Sequence, residues 1–284
     1  MRLGAARITA TILLSLGAIE GQAKLSIDRL EFQQYEDGPS LPANYEFLPG
    51  ETVWLSCRMG GFHTVQEDNE RHVKLSWQLR ITDPADVLID RPLEGKIEDR
   101  LFAEDKEWRP KFNVSFQIPP FAVGGIYKIP VRTRDELNGS EVSRILEFSV
   151  KAPALFAAET LVIRNFRFLR NEEDVQALRP AVYRPGNTLW AKFDIAGYLL
   201  TPGNHKFSVS YGLAILGPDG KQLFSQEDAA TEEKESFYPQ RWVPGGLSLN
   251  LDKNVSPTSY TLVVLVRDKI KNETTELREL FEVQ

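Results

Sequence analysis

The chain has 284 residues, 42% hydrophobic and 26% charged, with a formal net charge of −6. This is a globular composition, long enough for two domains of ordinary size, and it excludes fibrous and disordered classes. The negative balance, with no Lys/Arg cluster set among aromatics to offset it, opposes binding to phosphate backbones and so to nucleic acid.

The first element in chain order is a secretory signal over residues 1–23. Arg2 and Arg7 supply positive charge, Ile8 to Ile19 form an apolar core, and Gly21-Gln22-Ala23 offers small residues for cleavage. Its apolar run is short against the roughly 20 residues of a membrane span, so no transmembrane segment is expected after cleavage. Cys57 is the single cysteine, which precludes an intramolecular disulfide. An exported protein without disulfides must be held by its core, which suits a bacterial periplasm or cell exterior.

Strand-like runs follow, and they occur twice. Leu25 to Phe32 alternates apolar and polar residues, and Leu161 to Phe168 does the same. Phe47-Leu-Pro-Gly-Glu-Thr-Val-Trp54 matches Tyr183-Arg-Pro-Gly-Asn-Thr-Leu-Trp190. Leu75 to Ile81 matches Val209 to Ile215, Trp108-Arg-Pro110 matches Trp242-Val-Pro244, and Tyr127 to Val150 matches Tyr260 to Val283. Both copies place an Arg-Asp pair, Arg134-Asp135 and Arg267-Asp268, just before a polar turn. Turn signals separate the runs, and no long segment after the signal has helical periodicity. The expected fold is all-β: two tandem antiparallel sandwiches over 24–150 and 160–284, joined by an Ala-rich linker at 151–159.

The duplication also sorts side chains by face. Val53, Leu55, Cys57 and Met59 share one face of their strand, matched by Leu189, Ala191, Phe193 and Ile195. Cys57 is therefore read as a buried apolar residue at a position that also accepts Phe. Trp54 and Trp190 lie on the opposite face, which makes them candidates for an interaction surface. So are Val263 and Leu265. The strand Thr261 to Val266 is apolar on both faces, where the first copy alternates outward Lys128, Pro130 and Arg132, and such a strand is covered on both sides.

The aromatic positions resemble those of immunoglobulin-like sandwiches. Trp77, with Tyr211 in the second copy, occupies the place of a third-strand Trp, and Tyr127 and Tyr260 open the penultimate strand as a tyrosine corner does. Together with the repeated Pro-Gly opening, the whole chain after the signal is similar to tandem immunoglobulin-like or macroglobulin-like modules of exported bacterial proteins. It departs from antibody-type domains in lacking their Cys pair. Cys57 stands alone, with Ile129 and Leu262 where the second Cys would fall.

No constellation for chemistry stands out. His63, His72 and His205 lack metal-ligand spacing, and Gly-x-Ser-x-Gly, phosphate-binding and zincin motifs are absent. Acidic runs at Glu67-Asp68-Asn69-Glu70, Glu172-Glu173-Asp174 and Glu232-Glu233 do not alternate as calcium ligands do and are read as solvated loops. Neither a catalytic residue, a metal nor a cofactor is expected. The leading expectation is a non-enzymatic exported binding or scaffold protein, periplasmic or extracellular, engaging another protein or a cell-surface component. The alternative is an accessory carbohydrate-binding protein in which Trp108, Tyr238 or Trp242 stacks on sugar rings. A hydrolase of unspecified type is a third reading.

Overall fold

The computed structural model describes residues 24–152 and 158–284. The expected signal, and residues 153–157 of the expected linker, lie outside the described residues. Among those described there is no helix, and none is therefore long and apolar enough to cross a membrane.

Nine strands precede the connecting stretch: β1 (Ser26–Gln33), β2 (Glu46–Phe47), β3 (Thr52–Gly60), β4 (Val65–Glu67), β5 (Glu70–Leu79), β6 (Leu93–Leu101), β7 (Lys111–Gln117), β8 (Gly125–Asp135) and β9 (Glu141–Val150). Eight follow it: β10 (Val162–Leu169), β11 (Val182–Tyr183), β12 (Thr188–Ala196), β13 (Phe207–Leu216), β14 (Gln222–Lys234), β15 (Trp242–Asn250), β16 (Ser259–Asp268) and β17 (Glu273–Val283). In the first half, a β1-β3-β7 sheet shares an apolar core with a sheet ordered β2-β9-β8-β5, to which β4 and β6 are added at β5. In the second half, β10-β12-β15 shares a core with β11-β17-β16-β13-β14. All pairings are antiparallel except the short ones of β2 with β9 and β11 with β17. This is an all-β structure of antiparallel sheets, consistent with a β-sandwich, and strands fall at corresponding places in the two halves.

The local reasons can be read from single residues. Pro49-Gly50 and Pro185-Gly186 form turns closed by Glu51 N to Leu48 O (3.1 Å) and Asn187 N to Arg184 O (3.0 Å). Gly50 (φ +85°) and Gly186 (φ +83°) take the left-handed third position of a type II turn behind the Pro. The turn launches β3 and β12, whose alternate residues Val53 to Met59 and Leu189 to Ile195 are buried, as the period-two pattern requires. The Tyr127 and Tyr260 hydroxyls each donate 2.9 Å to the carbonyl four residues upstream, Val123 and Ser256, pinning the entry to β8 and β16.

Cys57 is fully buried, and burial pushes its thiol up to about 12, so it stays protonated and unreactive. Its equivalence with Phe193 carries a condition that only the sheet register reveals. Cys57 pairs with Phe112, whereas Phe193 pairs with Gly245, where a Cβ would stand 2.3 Å from the Phe193 ring. Phe112 in turn stacks on Trp77 at 4.2 Å. Small faces large in one half, and large faces small in the other. Cys57→Phe alone is therefore expected to overpack the core at a cost of about 1–3 kcal/mol. Adding Phe112→Gly should cost less than the sum of the single changes; urea unfolding of the four proteins in a double-mutant cycle measures this coupling.

Two sequence expectations need correction. Trp108-Arg-Pro110 and Trp242-Val-Pro244 are not equivalent in the ladder. Arg58 pairs with Lys111 while Asp194 pairs with Pro244, so the match slips by one residue, which exchanges the faces. Glu232 and Glu233 lie within β14 rather than in a loop, and Glu233 pairs with Lys206 at 2.6 Å.

Candidate functional site

The most heavily bonded polar group among the described residues lies where the halves meet. The loop after β5 turns back at Asp83, whose Oδ1 accepts from the backbone N–H of Ala85 (2.8 Å) and Val87 (2.9 Å). This Asx-type turn aims the other carboxylate oxygen across the junction. There Oδ2 accepts from the Tyr238 hydroxyl (3.0 Å) and from Arg241 Nη1 (2.9 Å). Arg241 Nη1 also lies 3.1 Å from the Tyr238 oxygen, with its guanidinium over the Tyr238 ring. The Asp83 side chain has no solvent exposure, and Tyr238 packs with the core of the first half although it belongs to the β14–β15 loop of the second.

Apolar contacts border this triad. Phe121 meets Trp242 edge-to-face at 5.3 Å, and the Lys234 ammonium lies 5.5 Å from the Phe121 ring centre. The Tyr198 hydroxyl donates to Gln240 O (2.5 Å), fixing the loop from behind. The carbonyl of Ala152 sits against Gly124 and that of Thr160 against Gly197, so both described ends of the connecting stretch are held.

Burial opposes charge on Arg241, but its hydrogen bond to Asp83, with the Tyr238 and Asp83 contacts, outweighs that and raises its proton affinity further. Burial, and then the Asp83 charge, push the Tyr238 hydroxyl upward. Arg241 is thus held as a cation and Tyr238 as a neutral donor. Both oxygens of Asp83 are engaged and no solvent reaches them, so the triad acts as a clamp.

The residues singled out from sequence are dispersed. Trp54 and Trp190 are half-buried on the outer faces of two different three-stranded sheets, and the structure does not bring them together. Trp108 is half-buried, edge-to-face on Phe62 within the first half (5.5 Å), whereas Trp242 lies at the junction. Tyr238, expected as an exposed stacking ring, is only 6% exposed because it is inserted between the halves. Val263, on the strand expected to be covered on both faces, is 4% exposed, and Leu265 is half-buried opposite Gly212, on which a bulge of β14 rests. The contact between halves runs through the β14–β15 loop instead. Sequence reasoning missed Asp83 and Arg241. Asp83-Pro84 has only the local character of a turn, and Arg241 stands beside Trp242 with nothing in the sequence to pair it with Asp83.

The repeated Arg-Asp pair has a structural account. Asp135 is fully buried, and its oxygens accept from His63 N (2.6 Å) and Leu137 N (3.0 Å). Asp268 accepts from Leu199 N (2.7 Å), Ile270 N (2.9 Å) and Lys271 N (3.1 Å). Each ties the loop after β3 or β12 to the turn after β8 or β16. Among the described residues no group of three or more His, Cys, Asp or Glu could hold a metal ion.

No protein-family model matches the chain, and no curated protein matches it. Among solved structures it is similar to the C-terminal domain of an antigen I/II-family protein of Streptococcus pyogenes, at 9% identity and a TM-score of 0.30, over 92% of this chain and 99% of that one. It is also similar to a DNA-bound alkylpurine DNA glycosylase of Pseudomonas fluorescens, at 15% identity and a TM-score of 0.30. That match covers 45% of this chain, which spans 31% of the glycosylase.

Proposed function

We propose that the protein is a non-enzymatic exported binding or scaffold protein, periplasmic or extracellular. Its two immunoglobulin-like domains, 24–150 and 160–284 joined by 151–159, hold contact surfaces for a protein or cell-surface partner in a fixed relation. The observation that carries this reading is the Asp83–Tyr238–Arg241 clamp, a sealed ionic contact that resists relative movement of the halves. The strand order and the two tyrosine hydroxyl contacts support the immunoglobulin-like plan. Half-buried Trp54 and Trp190, on outer sheet faces, are the aromatic anchors to test first.

The carbohydrate reading is weakened by the burial of Tyr238 and by the packing of Trp108 and Trp242 on Phe62 and Phe121. Photo-crosslinking residues placed at Trp54 and Trp190 in secreting cells should give a discrete protein adduct. Only uncrosslinked monomer from both sites, together with retardation on polysaccharide gels that Trp108→Ala abolishes, would overturn the proposal in favour of sugar binding.

A further inference from the structure

β9 is an edge strand that its neighbour covers only at one end. It has ten residues, and on the side away from β8 only Ser149 and Val150 are paired, with the two residues of β2. Lys151 N donates to Phe47 O (2.8 Å), so the odd-numbered residues of this stretch turn their backbone groups toward that edge. The N–H and C=O of Ser143, Ile145 and Glu147 therefore face the open edge, and among the described residues no strand pairs with them there. β2 is short because Tyr45 N donates back to Pro42 O (3.0 Å), a turn that carries the preceding chain away from β9.

Beside this edge lies a groove of about 600 Å³. Leu30, Leu41, Leu146 and Phe148 give it an apolar floor, and Glu46 and Glu147 stand exposed on its rim. No lysine or arginine lines it. Glu31, the third carboxylate of the lining, is paired with Arg29 (2.8 Å), whereas Glu46 and Glu147 are in no ion pair among the described residues. The second half guards its matching edge differently. β17 pairs with β11 at the same place, but Glu279 stands where β9 has Leu146, on the face of buried Phe281. Inward-pointing charges of this kind keep other chains off an edge. In β9 the inward charge is Arg144, two residues farther from β2, which leaves the groove itself apolar inside.

We propose that β9 accepts an extended segment of a partner protein as an added strand, one in which apolar residues alternate with lysine or arginine. Its main chain pairs with Ser143, Ile145 and Glu147. Its apolar residues enter the groove against Leu30 and Leu146, and its basic residues, on the other face of the strand, meet Glu46 and Glu147. Neither Trp54 nor Trp190 lines this surface, so binding here and crosslinking from those residues fail independently.

The test is an NMR titration of the full chain with the acetylated, amidated heptapeptide Lys-Val-Lys-Val-Lys-Val-Lys. Its controls are a Glu-for-Lys analogue, a Ser-for-Val analogue, and two forms N-methylated on the valines or on the lysines. The expected result is saturable binding of the first peptide with slowed exchange of the Ile145 and Glu147 amides. Binding should be lost with the Glu and Ser analogues and with at least one N-methylated form, whose identity gives the direction of the added strand. Ile145→Pro should abolish binding and keep the β8 ladder, since the N–H it removes faces the open edge. Leu146→Glu should weaken binding by roughly tenfold or more. The second half, with Glu279, shows that the strand accepts Glu at that place. The Glu46→Gln, Glu147→Gln double variant should weaken binding several-fold. No saturable slowing of those amides, equal binding of the Glu or Ser analogue, retention by both N-methylated forms, or unaltered binding by Ile145→Pro or Leu146→Glu would each overturn the proposal. So would slowed exchange that rises with protein concentration in the absence of peptide, which assigns the edge to a second copy of this chain.

Discussion

Arg241→Met is expected to destabilise the protein by about 3–5 kcal/mol, because it strands the Asp83 charge in a site that water does not reach. The methionine keeps most of the apolar stem, so the loss isolates the ion. The same carboxylate caps its own loop through Ala85 and Val87, and Asn at position 83 can still accept those bonds through its amide oxygen. Arg241→Met combined with Asp83→Asn should therefore recover more than half of the loss, since a buried pair removed whole costs far less than one partner removed. Urea unfolding checks the energy. Small-angle scattering checks the geometry, with the Arg241→Met protein broader in its domain spacing while far-ultraviolet dichroism still reports intact sheets. A change below about 1 kcal/mol would mean that the junction opens to solvent and that the clamp is an ordinary surface pair.

Asp268→Ala carries the second large effect. Three backbone N–H groups, those of Leu199, Ile270 and Lys271, lose their acceptor at once. A buried donor left unsatisfied costs about 1–3 kcal/mol, and these three are only part-buried, so water recovers some of that and a total loss of about 2 kcal/mol or more is expected. Asp135→Ala should do the same in the first half on a smaller scale, with two donors affected, His63 N and Leu137 N. Amide hydrogen exchange separates this local account from general destabilisation. Protection should fall first at Leu199 and Ile270, ahead of the β16 interior. Uniform loss across the second half would contradict a role confined to pinning the loop after β12 to the turn after β16.

What the sequence by itself determined was local and periodic. Alternation placed Val53, Leu55, Cys57 and Met59 inside, together with their four counterparts in β12. Pro-Gly marked the turns, because Pro presets φ at the second position of a type II turn and Gly takes the positive φ of the third at no steric cost. The doubled pattern then related one half to the other, down to the two tyrosines whose hydroxyls reach back to their own backbone. These features come from residues close together in the chain, whose side-chain period follows directly from strand geometry.

The tertiary structure alone decided the rest, for two physical reasons. Contacts between the halves join residues 155 and 158 positions apart, Asp83 with Tyr238 and Arg241, and a two-residue period carries no information at that range. Register also matters more than the letters. One residue of slip sets Trp108 against Phe62 and Trp242 against Phe121, and a jump in β14 pairing lays a bulge on Gly212, opposite Leu265. Cys57 shows the limit within one position. Its burial followed from alternation, but its tolerance for a larger side chain depends on Phe112 across the sheet, a neighbour that only the pairing of β3 with β7 supplies.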